Sequence, residues 1–204
     1  MAAFDATVLT LVLNPASDCP PDPRTKTPVL KARERVEFLI QTLSKAKTKI
    51  VIPTPVLSEV LVEAGSAGLA YIQILSKQFV FDIRPFDEIA AIELAEMTKR
   101  AIDAGDKREG EKQPYQKIKL DRQIAAICKV AGVSTLYVSD NSLANFARKS
   151  GLSVIGVHEL PLPPEPPQLA MELPIPAKVS ERDEPGDERD KEDEEEGFDS
   201  QAAD

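Results

Sequence analysis

The sequence has few of the residues on which several classes of enzyme depend. Its 204 residues include no Trp, one His and two Cys. A single histidine, His158, argues against a Ser-His or Cys-His nucleophile pair, and with two cysteines it is a poor basis for a zinc site. Cys19 and Cys128 do not form a disulfide framework, which is typical of a protein in a reducing, intracellular setting.

Long apolar runs and a secretory leader are also lacking. No stretch approaches the roughly 18 apolar residues of a membrane span. Asp5 interrupts the N-terminus where the apolar part of a leader would lie. We therefore expect a cytoplasmic protein with no membrane partner. Because aromatic residues make up only 5% of the chain, we expect a core of Ile, Leu, Val and Ala.

Charge and proline content divide the chain into two regions. Segment 161–204 holds 15 of the 34 acidic residues but only 4 of the 25 basic ones, and it begins with a run of prolines. Such a composition cannot bury enough apolar surface to offset the entropy of ordering. We predict a folded domain over 1–160 and a Pro-rich, then acidic, disordered tail over 161–204. The slightly basic domain suits a nucleic-acid substrate, although an ordinary near-neutral domain has the same charge.

Apolar segments of strand length alternate with helical patterns along the first 157 residues. The predicted strands are 2–5, 49–52, 79–83, 135–139 and 153–157, and the predicted helices are 6–13, 30–44, 54–65, 69–76, 87–104, 120–131 and 141–149. This alternation predicts an α/β fold, a three-layer sandwich with a central parallel sheet. The polar, basic segment 105–119 is predicted to be a loop.

Four carboxylates stand where a predicted strand turns into a helix, or on a helix beside such a turn. They are Asp5, Glu59, Asp121 and Asp140. Open parallel sheets bind ligands at the carboxyl ends of their strands, and four carboxylates gathered there would repel one another. Mg²⁺ and Mn²⁺ prefer oxygen ligands and would relieve that repulsion. The pattern therefore indicates a metal-dependent phosphodiester hydrolase.

Each of these acids also has an ordinary structural explanation. Asp5 and Asp140 can cap the helices that follow them, and Asp121 can complement the dipole of its helix. Glu59 can be a solvated helix carboxylate, and Glu63 competes with it one turn later. The combination favours a site, because an independent element places each acid.

Rival phosphate chemistries fit the sequence less well. Asp5 is not followed by the second Asp of a haloacid-dehalogenase-type phosphatase, and the paired acids and late lysine of a receiver domain are not evident. No glycine-rich phosphate-binding loop is present either.

Four segments resemble the motifs of the PIN domain family, the ribonuclease fold of VapC-type toxins. They are Phe-Asp-Ala-Thr-Val-Leu, Thr-Pro-Val-Leu-Ser-Glu-Val-Leu, Leu-Asp-Arg-Gln-Ile-Ala-Ala-Ile-Cys and Leu-Tyr-Val-Ser-Asp-Asn-Ser-Leu-Ala-Asn-Phe. The resemblance covers about residues 1–158; each motif is loose, and their order and spacing are more specific. One departure is Asn145, since family members often carry an acid just before the final Phe.

The resemblance implies a function and a set of site residues. Asp5, Glu59, Asp121 and Asp140 would hold one or two Mg²⁺ or Mn²⁺ ions, and activated water would attack an RNA phosphodiester bond. Thr7 or Ser139 would orient that water. The resemblance also implies a toxin of a toxin–antitoxin pair, with an antitoxin-type partner and a homodimer. Two alternatives stay open: a non-catalytic PIN-like module that binds RNA or protein, and a DNA nuclease.

The basic segment 105–119 is the predicted nucleic-acid contact. It carries Lys107, Arg108, Lys112, Lys117 and Lys119, and it runs directly into Asp121. Its Tyr115 could stack on a base. The alternative is a solvated loop. The acidic run 192–196 could compete with RNA for this segment, or it could serve only solubility.

Overall fold

Five short parallel strands form the centre of the structure, a computed structural model that describes residues 1–164. The strands are β1 (Ala2–Phe4), β2 (Ile50–Pro53), β3 (Phe81–Arg84), β4 (Thr135–Val138) and β5 (Ser153–Gly156), in the order β3-β2-β1-β4-β5. Every neighbouring pair is parallel. Strands β1 and β2 are apolar and buried throughout, as expected when both faces of a sheet are covered. The predicted tail from residue 165 onward, including 192–196, lies outside the described residues.

Helices connect the strands and flank the sheet. They are α1 (Ala6–Leu13), α2 (Ala32–Lys45), α3 (Thr54–Ala64), α4 (Gly68–Lys77), α5 (Glu88–Asp103), α6 (Tyr115–Val130) and α7 (Asn141–Lys149). The core consists mainly of aliphatic side chains, such as Leu9, Ile52 and Leu136, none of which is exposed to solvent. The predicted α/β sandwich with a central parallel sheet is confirmed.

The largest error in the predicted elements concerns the basic segment 105–119. Helix α6 begins at Tyr115, whereas the sequence pattern placed its start at residue 120. Pro114 stands just before the first helical residue, with φ −53° and ψ 139°, and Ile118 of the first turns is fully buried. The added turns are stabilised by this packing, which their polar composition did not indicate. Lys117 and Lys119 therefore lie on a helix.

One segment departs from the expectation that no stretch approaches the length of a membrane span. Residues Thr54–Lys77 pass a test of length and hydropathy alone, with a mean hydropathy of 1.2. The segment comprises α3, a short 3-10 turn at Gly65–Ala67 and α4. Val56, Leu57 and Val60 of α3 are buried in the core, which accounts for part of its apolar character.

Candidate active site

The order of the strands creates a switch point between β1 and β4. From β1 the chain proceeds to β2 and β3 on one side, and it later returns to β4 and β5 on the other. Ligands of open α/β sheets bind in the crevice at the carboxyl ends of such strands. Asp5 directly follows β1, and Asp140 lies two residues after β4. The crevice therefore has an acid on each side.

Four acids from separate elements line one pocket at this edge, with a volume of about 380 Å³. We call it the acidic pocket; its lining includes Asp5, Glu59, Asp121 and Asp140, together with Thr7 and Lys117. The structure thus brings together the four carboxylates to which the sequence pattern pointed. The hydroxyl-bearing Ser139 instead lines a smaller neighbouring pocket that also contains His158.

Asp5 is held rigidly although it is almost fully buried, with 2% of its surface exposed. Its Oδ1 accepts a hydrogen bond from the backbone N–H of Val8 at 2.7 Å, which caps α1. Its Oδ2 accepts one from the backbone N–H of Ser139 at 2.6 Å, which ties β1 to the end of β4. Burial raises the pKa of Asp5 to about 6, against the opposing effect of these hydrogen bonds. Asp5 therefore both caps α1 and lines the acidic pocket.

Asp121 is equally buried, on the inner face of α6. Its Oδ2 accepts a hydrogen bond from the Ser142 hydroxyl at 2.8 Å. Burial raises its pKa to about 6, although the Ser142 hydroxyl and the Lys117 ammonium oppose the shift. Sequence reasoning missed Ser142. Its position two residues after Asp140, on the buried face of a helix, was the available signal.

Asp140 divides its two oxygens between a helix cap and an ion pair. Its Oδ1 accepts from the backbone N–H of Ser142 at 2.7 Å and of Leu143 at 3.2 Å. Its Oδ2 lies 2.7 Å from Lys117 Nζ, which also lies 3.7 Å from Asp121 Oδ1. Burial alone would raise the pKa of Asp140, but Lys117 and the backbone donors outweigh it and hold the pKa below its usual value.

Lys117 is the cation of the acidic pocket. Partial burial would lower its pKa, but the hydrogen bond to Asp140 and the charges of Asp121, Asp140 and Glu59 raise it instead. Lys117 is therefore charged at neutral pH. Glu59, in contrast, is exposed on α3, and its neighbour Glu63 does not line the pocket.

The donor set of the acidic pocket fits Mg²⁺ or Mn²⁺ in its chemistry, because every acid offers hard oxygen ligands. The side chains are not arranged tightly: within residues 1–164, no group of three or more His, Cys, Asp or Glu is close enough to hold a metal ion. Glu59 is exposed to solvent, and the Lys117 ammonium lies against Asp140 and Asp121. The prediction of a metal site is therefore supported by the type of donor atoms and not by their spacing.

The other predicted nucleic-acid contacts lie outside the acidic pocket. Lys107 and Lys119 each place Nζ 5.1 Å from the centroid of the Tyr115 ring. Arg108 Nη1 donates to the carbonyl oxygen of Gln113 at 3.0 Å, and Lys112 is exposed. Lys107 and Lys119 therefore flank the Tyr115 ring, while Lys117 contacts the acids.

A buried arginine connects this group to the site. Arg122, next to Asp121, has 1% of its surface exposed. Its Nη2 lies 2.7 Å from Glu109 Oε2 and donates to the carbonyl oxygen of Lys107 at 2.7 Å. The loop before α6 is thereby tied to the helix that carries Asp121. The sequence offered no signal for this contact beyond the charge itself.

No protein-family model matches the chain, and no curated protein matches it in sequence. Among solved structures, VapBC2 from Rickettsia felis, bound to a promoter DNA fragment, aligns with a TM-score of 0.49 and 12% identity over 76% of this chain and 97% of that chain. VapC20 from Mycobacterium tuberculosis, a sarcin-ricin-loop-cleaving toxin, aligns with a TM-score of 0.42 and 16% identity over 71% and 94%.

The tyrosyl-tRNA synthetase of Leishmania major reaches the same TM-score of 0.42, with 12% identity over 76% of this chain and 25% of that chain. Two of these three structures bear the names of the toxin type that the sequence motifs resemble. Because a synthetase scores as well as a toxin, likeness at this level carries no argument about what this chain does. Any proposal about function must therefore be argued from the residues of the acidic pocket.

Proposed function

We propose that the chain is a metal-dependent endoribonuclease of the PIN type. One observation carries the proposal: four carboxylates from independent elements line a single pocket at the switch point of a parallel sheet. Helix capping explains Asp5 and Asp140 one at a time, but it does not explain why Asp121 is buried beside them. Gathering acids in a crevice raises the free energy of the metal-free protein, and a bound cation would offset that cost.

The residues of the pocket have distinct tasks in this proposal. Asp5, Glu59, Asp121 and Asp140 would hold Mg²⁺ or Mn²⁺, which when bound activates water and neutralises charge on the phosphate. The backbone donors to Asp5, the Ser142 hydroxyl and the α7 cap hold three of these carboxylates in place. Thr7 lines the pocket and would orient water.

A nucleic acid is the proposed substrate because the basic segment 105–119 carries exposed cations, and the resemblance of the sequence to the PIN family favours RNA. Lys107, Arg108, Lys112 and Lys119 are all exposed and can contact phosphates. The same cations would accept a DNA backbone, so a direct comparison of the two substrates is part of the test. A role as a toxin, with an antitoxin-type partner and a homodimer, follows from the resemblance of the sequence. Growth arrest on expression would test that role.

A non-catalytic PIN-like binding module is the second candidate, and Lys117 favours it. An internal ammonium already neutralises part of the acidic pocket, as expected of a scaffold that needs no metal. Under this alternative, the protein binds nucleic acid or protein but does not cleave.

Cleavage of matched substrates separates the two candidates. End-labelled single-stranded RNA and DNA of the same sequence are incubated with EDTA-treated protein, with and without Mg²⁺ or Mn²⁺. We expect cleavage of the RNA only when metal is added. Glu59→Gln should reduce cleavage strongly, while Glu63→Gln, one turn away and outside the pocket, should leave it unchanged. Metal-independent cleavage, or equal loss in both variants, would contradict the proposal.

A further inference from the structure

Lys117 lies at a position where a helix ordinarily disfavours a cation. It is the third residue of α6, and no acidic residue lies in that first turn. The partial positive charge at a helix N-terminus repels an ammonium there. Two carboxylates offset this effect: Asp140 Oδ2 at 2.7 Å and Asp121 Oδ1 at 3.7 Å. The placement of Lys117 is thus explained by the acidic pocket and not by its own helix.

The oxygens that Lys117 contacts are the ones that the scaffold leaves open. Both oxygens of Asp5 accept backbone hydrogen bonds. Asp121 Oδ2 accepts from Ser142, and Asp140 Oδ1 caps α7. Asp121 Oδ1 and Asp140 Oδ2 remain, and the Lys117 ammonium approaches both. A divalent cation bound to Asp121 and Asp140 would most readily use the same two oxygens, because within residues 1–164 no hydrogen-bond donor other than Lys117 contacts them.

An ammonium and a divalent cation cannot share these oxygens at contact distance. Metal–oxygen bonds of about 2.1 Å to Asp140 Oδ2 would place the ion within a few ångströms of Lys117 Nζ, where the two positive charges repel. The Lys117 side chain is 38% exposed to solvent, so it can move away from the carboxylates into water. Its ion pair is correspondingly weak, as partly exposed pairs are.

We propose that Lys117 is the internal counter-ion of the acidic pocket and that a divalent cation must displace it to bind. This inference rests on the proposed function, because it presupposes a metal at these carboxylates. The pocket then has two states. In one, Lys117 holds Asp121 and Asp140; in the other, the metal holds them, and the lysine lies at the rim, where it can pair with a substrate phosphate.

Metal affinity of matched lysine variants tests the competition without relying on activity. Mn²⁺ binding is measured by electron paramagnetic resonance on the full chain for wild type, Lys117→Met and Lys119→Met. Lys119 is the control because it lies two residues along α6 and contacts Tyr115, with no carboxylate partner among the described residues. Lys117→Met should bind Mn²⁺ roughly two- to fivefold more tightly, as expected for loss of a partly exposed ion pair. Lys119→Met should bind as wild type does.

The possible failures are distinguishable. If Lys117→Met binds Mn²⁺ no more tightly than wild type, the competition is wrong and the metal site stands. If none of the three proteins binds Mn²⁺ at the pocket, the metal site is wrong, and the inference falls with it.

A second measurement uses wild-type protein and so does not depend on whether a variant folds. Reductive methylation followed by peptide mass spectrometry gives the labelling rate of each lysine. Adding Mg²⁺ should increase labelling of Lys117 several-fold and leave Lys119 unchanged. A Lys117 rate that stays the same or falls on metal addition would overturn the proposal.

Discussion

The two edges of the sheet carry very different cavities. The acidic pocket at the carboxyl edge measures about 380 Å³, and two of its carboxylates are 2% exposed. At the amino edge, a groove of about 780 Å³ lies between the end of α2 and the start of β3, lined by Lys45, Lys47, Lys49 and Phe79 among others. Lys49 covers the Phe79 ring, and Phe79 itself is 85% exposed.

The larger cavity is the chemically simpler one. Its charged groups are Lys45, Lys47 and Lys49, which are all at least partly exposed to water, so holding them there costs little free energy. The smaller pocket keeps carboxylates out of water, which costs free energy unless a partner compensates. The comparison teaches that the buried charge, and not the volume, marks the candidate site. The predictions below test that contrast, from the largest expected effect to the smallest.

Removing one carboxylate of the acidic pocket should abolish cleavage. Asp121→Asn and Asp140→Asn each delete a charged oxygen that the proposed metal requires, and we expect the rate to fall by at least about 100-fold. Lys47→Met at the amino edge should have no effect. Rates on labelled RNA, with circular dichroism to verify folding, provide the measurement. An Asp121→Asn protein that cleaves at the wild-type rate would show that this residue has been assigned wrongly.

The contribution of Asp5 and Asp121 to the stability of the metal-free protein should fall as pH rises from about 4 to above 6, whereas Asp140, whose pKa is lowered, contributes in the opposite direction. Asp5 and Asp121 have pKa values of about 6 in the folded state, above the ordinary 3.8. At these two carboxyls the folded state therefore binds more protons than the unfolded state in this window, and their contribution to the free energy of unfolding falls as pH increases. For Asp5 alone the fall is roughly 3 kcal/mol. Urea unfolding in EDTA measures it.

Two controls sharpen this pH prediction. Mg²⁺ should restore much of the lost stability at pH 7.5, and Asp121→Asn should reduce the pH dependence in EDTA. A pH dependence in EDTA that is the same for wild type and Asp121→Asn would mean that Asp121 does not have a raised pKa.

Ser142 should support the site through Asp121. Ser142→Ala removes the hydroxyl that donates to Asp121 Oδ2, and loss of such a supporting contact typically weakens metal binding by about tenfold. Ser139→Ala is a suitable comparison, because Ser139 contacts Asp5 through its backbone N–H, which the substitution preserves. Mn²⁺ titration of both variants measures the difference. Equal affinities would remove Ser142 from the site.

The smallest expected effect concerns nucleic-acid binding by the basic segment 105–119. Charge reversal of Lys107 and Lys119 should weaken RNA binding and lower the slope of log affinity against log salt by about 1 to 2. Reversal of Lys45 and Lys47 at the amino edge should leave the slope as it is. Fluorescence anisotropy at several salt concentrations gives both slopes. If reversal of Lys45 and Lys47 lowers the slope more than reversal of Lys107 and Lys119 does, the RNA binds at the amino edge of the sheet.

The amino-acid sequence by itself determined the order of strands and helices and the position of the acids at strand ends. Local signals were sufficient for this: apolar runs before Asp5 and Asp140, and a helical pattern that turned Asp121 inward. The order of the strands within the sheet could not be predicted from such local signals, because short parallel strands of Ile, Val and Ala pair equally well in several orders. The start of α6 was also misjudged, since its first turns are polar and are stabilised by burial of Ile118.

Only the tertiary structure decided which groups meet in the acidic pocket. The sequence pattern assigned Lys117 to a basic loop that contacts nucleic acid, together with Lys119. The fold separates the two lysines: α6 turns Lys117 toward Asp121 and Asp140 and leaves Lys119 beside Tyr115. Side chains two apart on a helix point in different directions, so what each one meets depends on the elements packed against that helix. For the same reason, only the packing of α6 against α7 could bring Ser142 to Asp121.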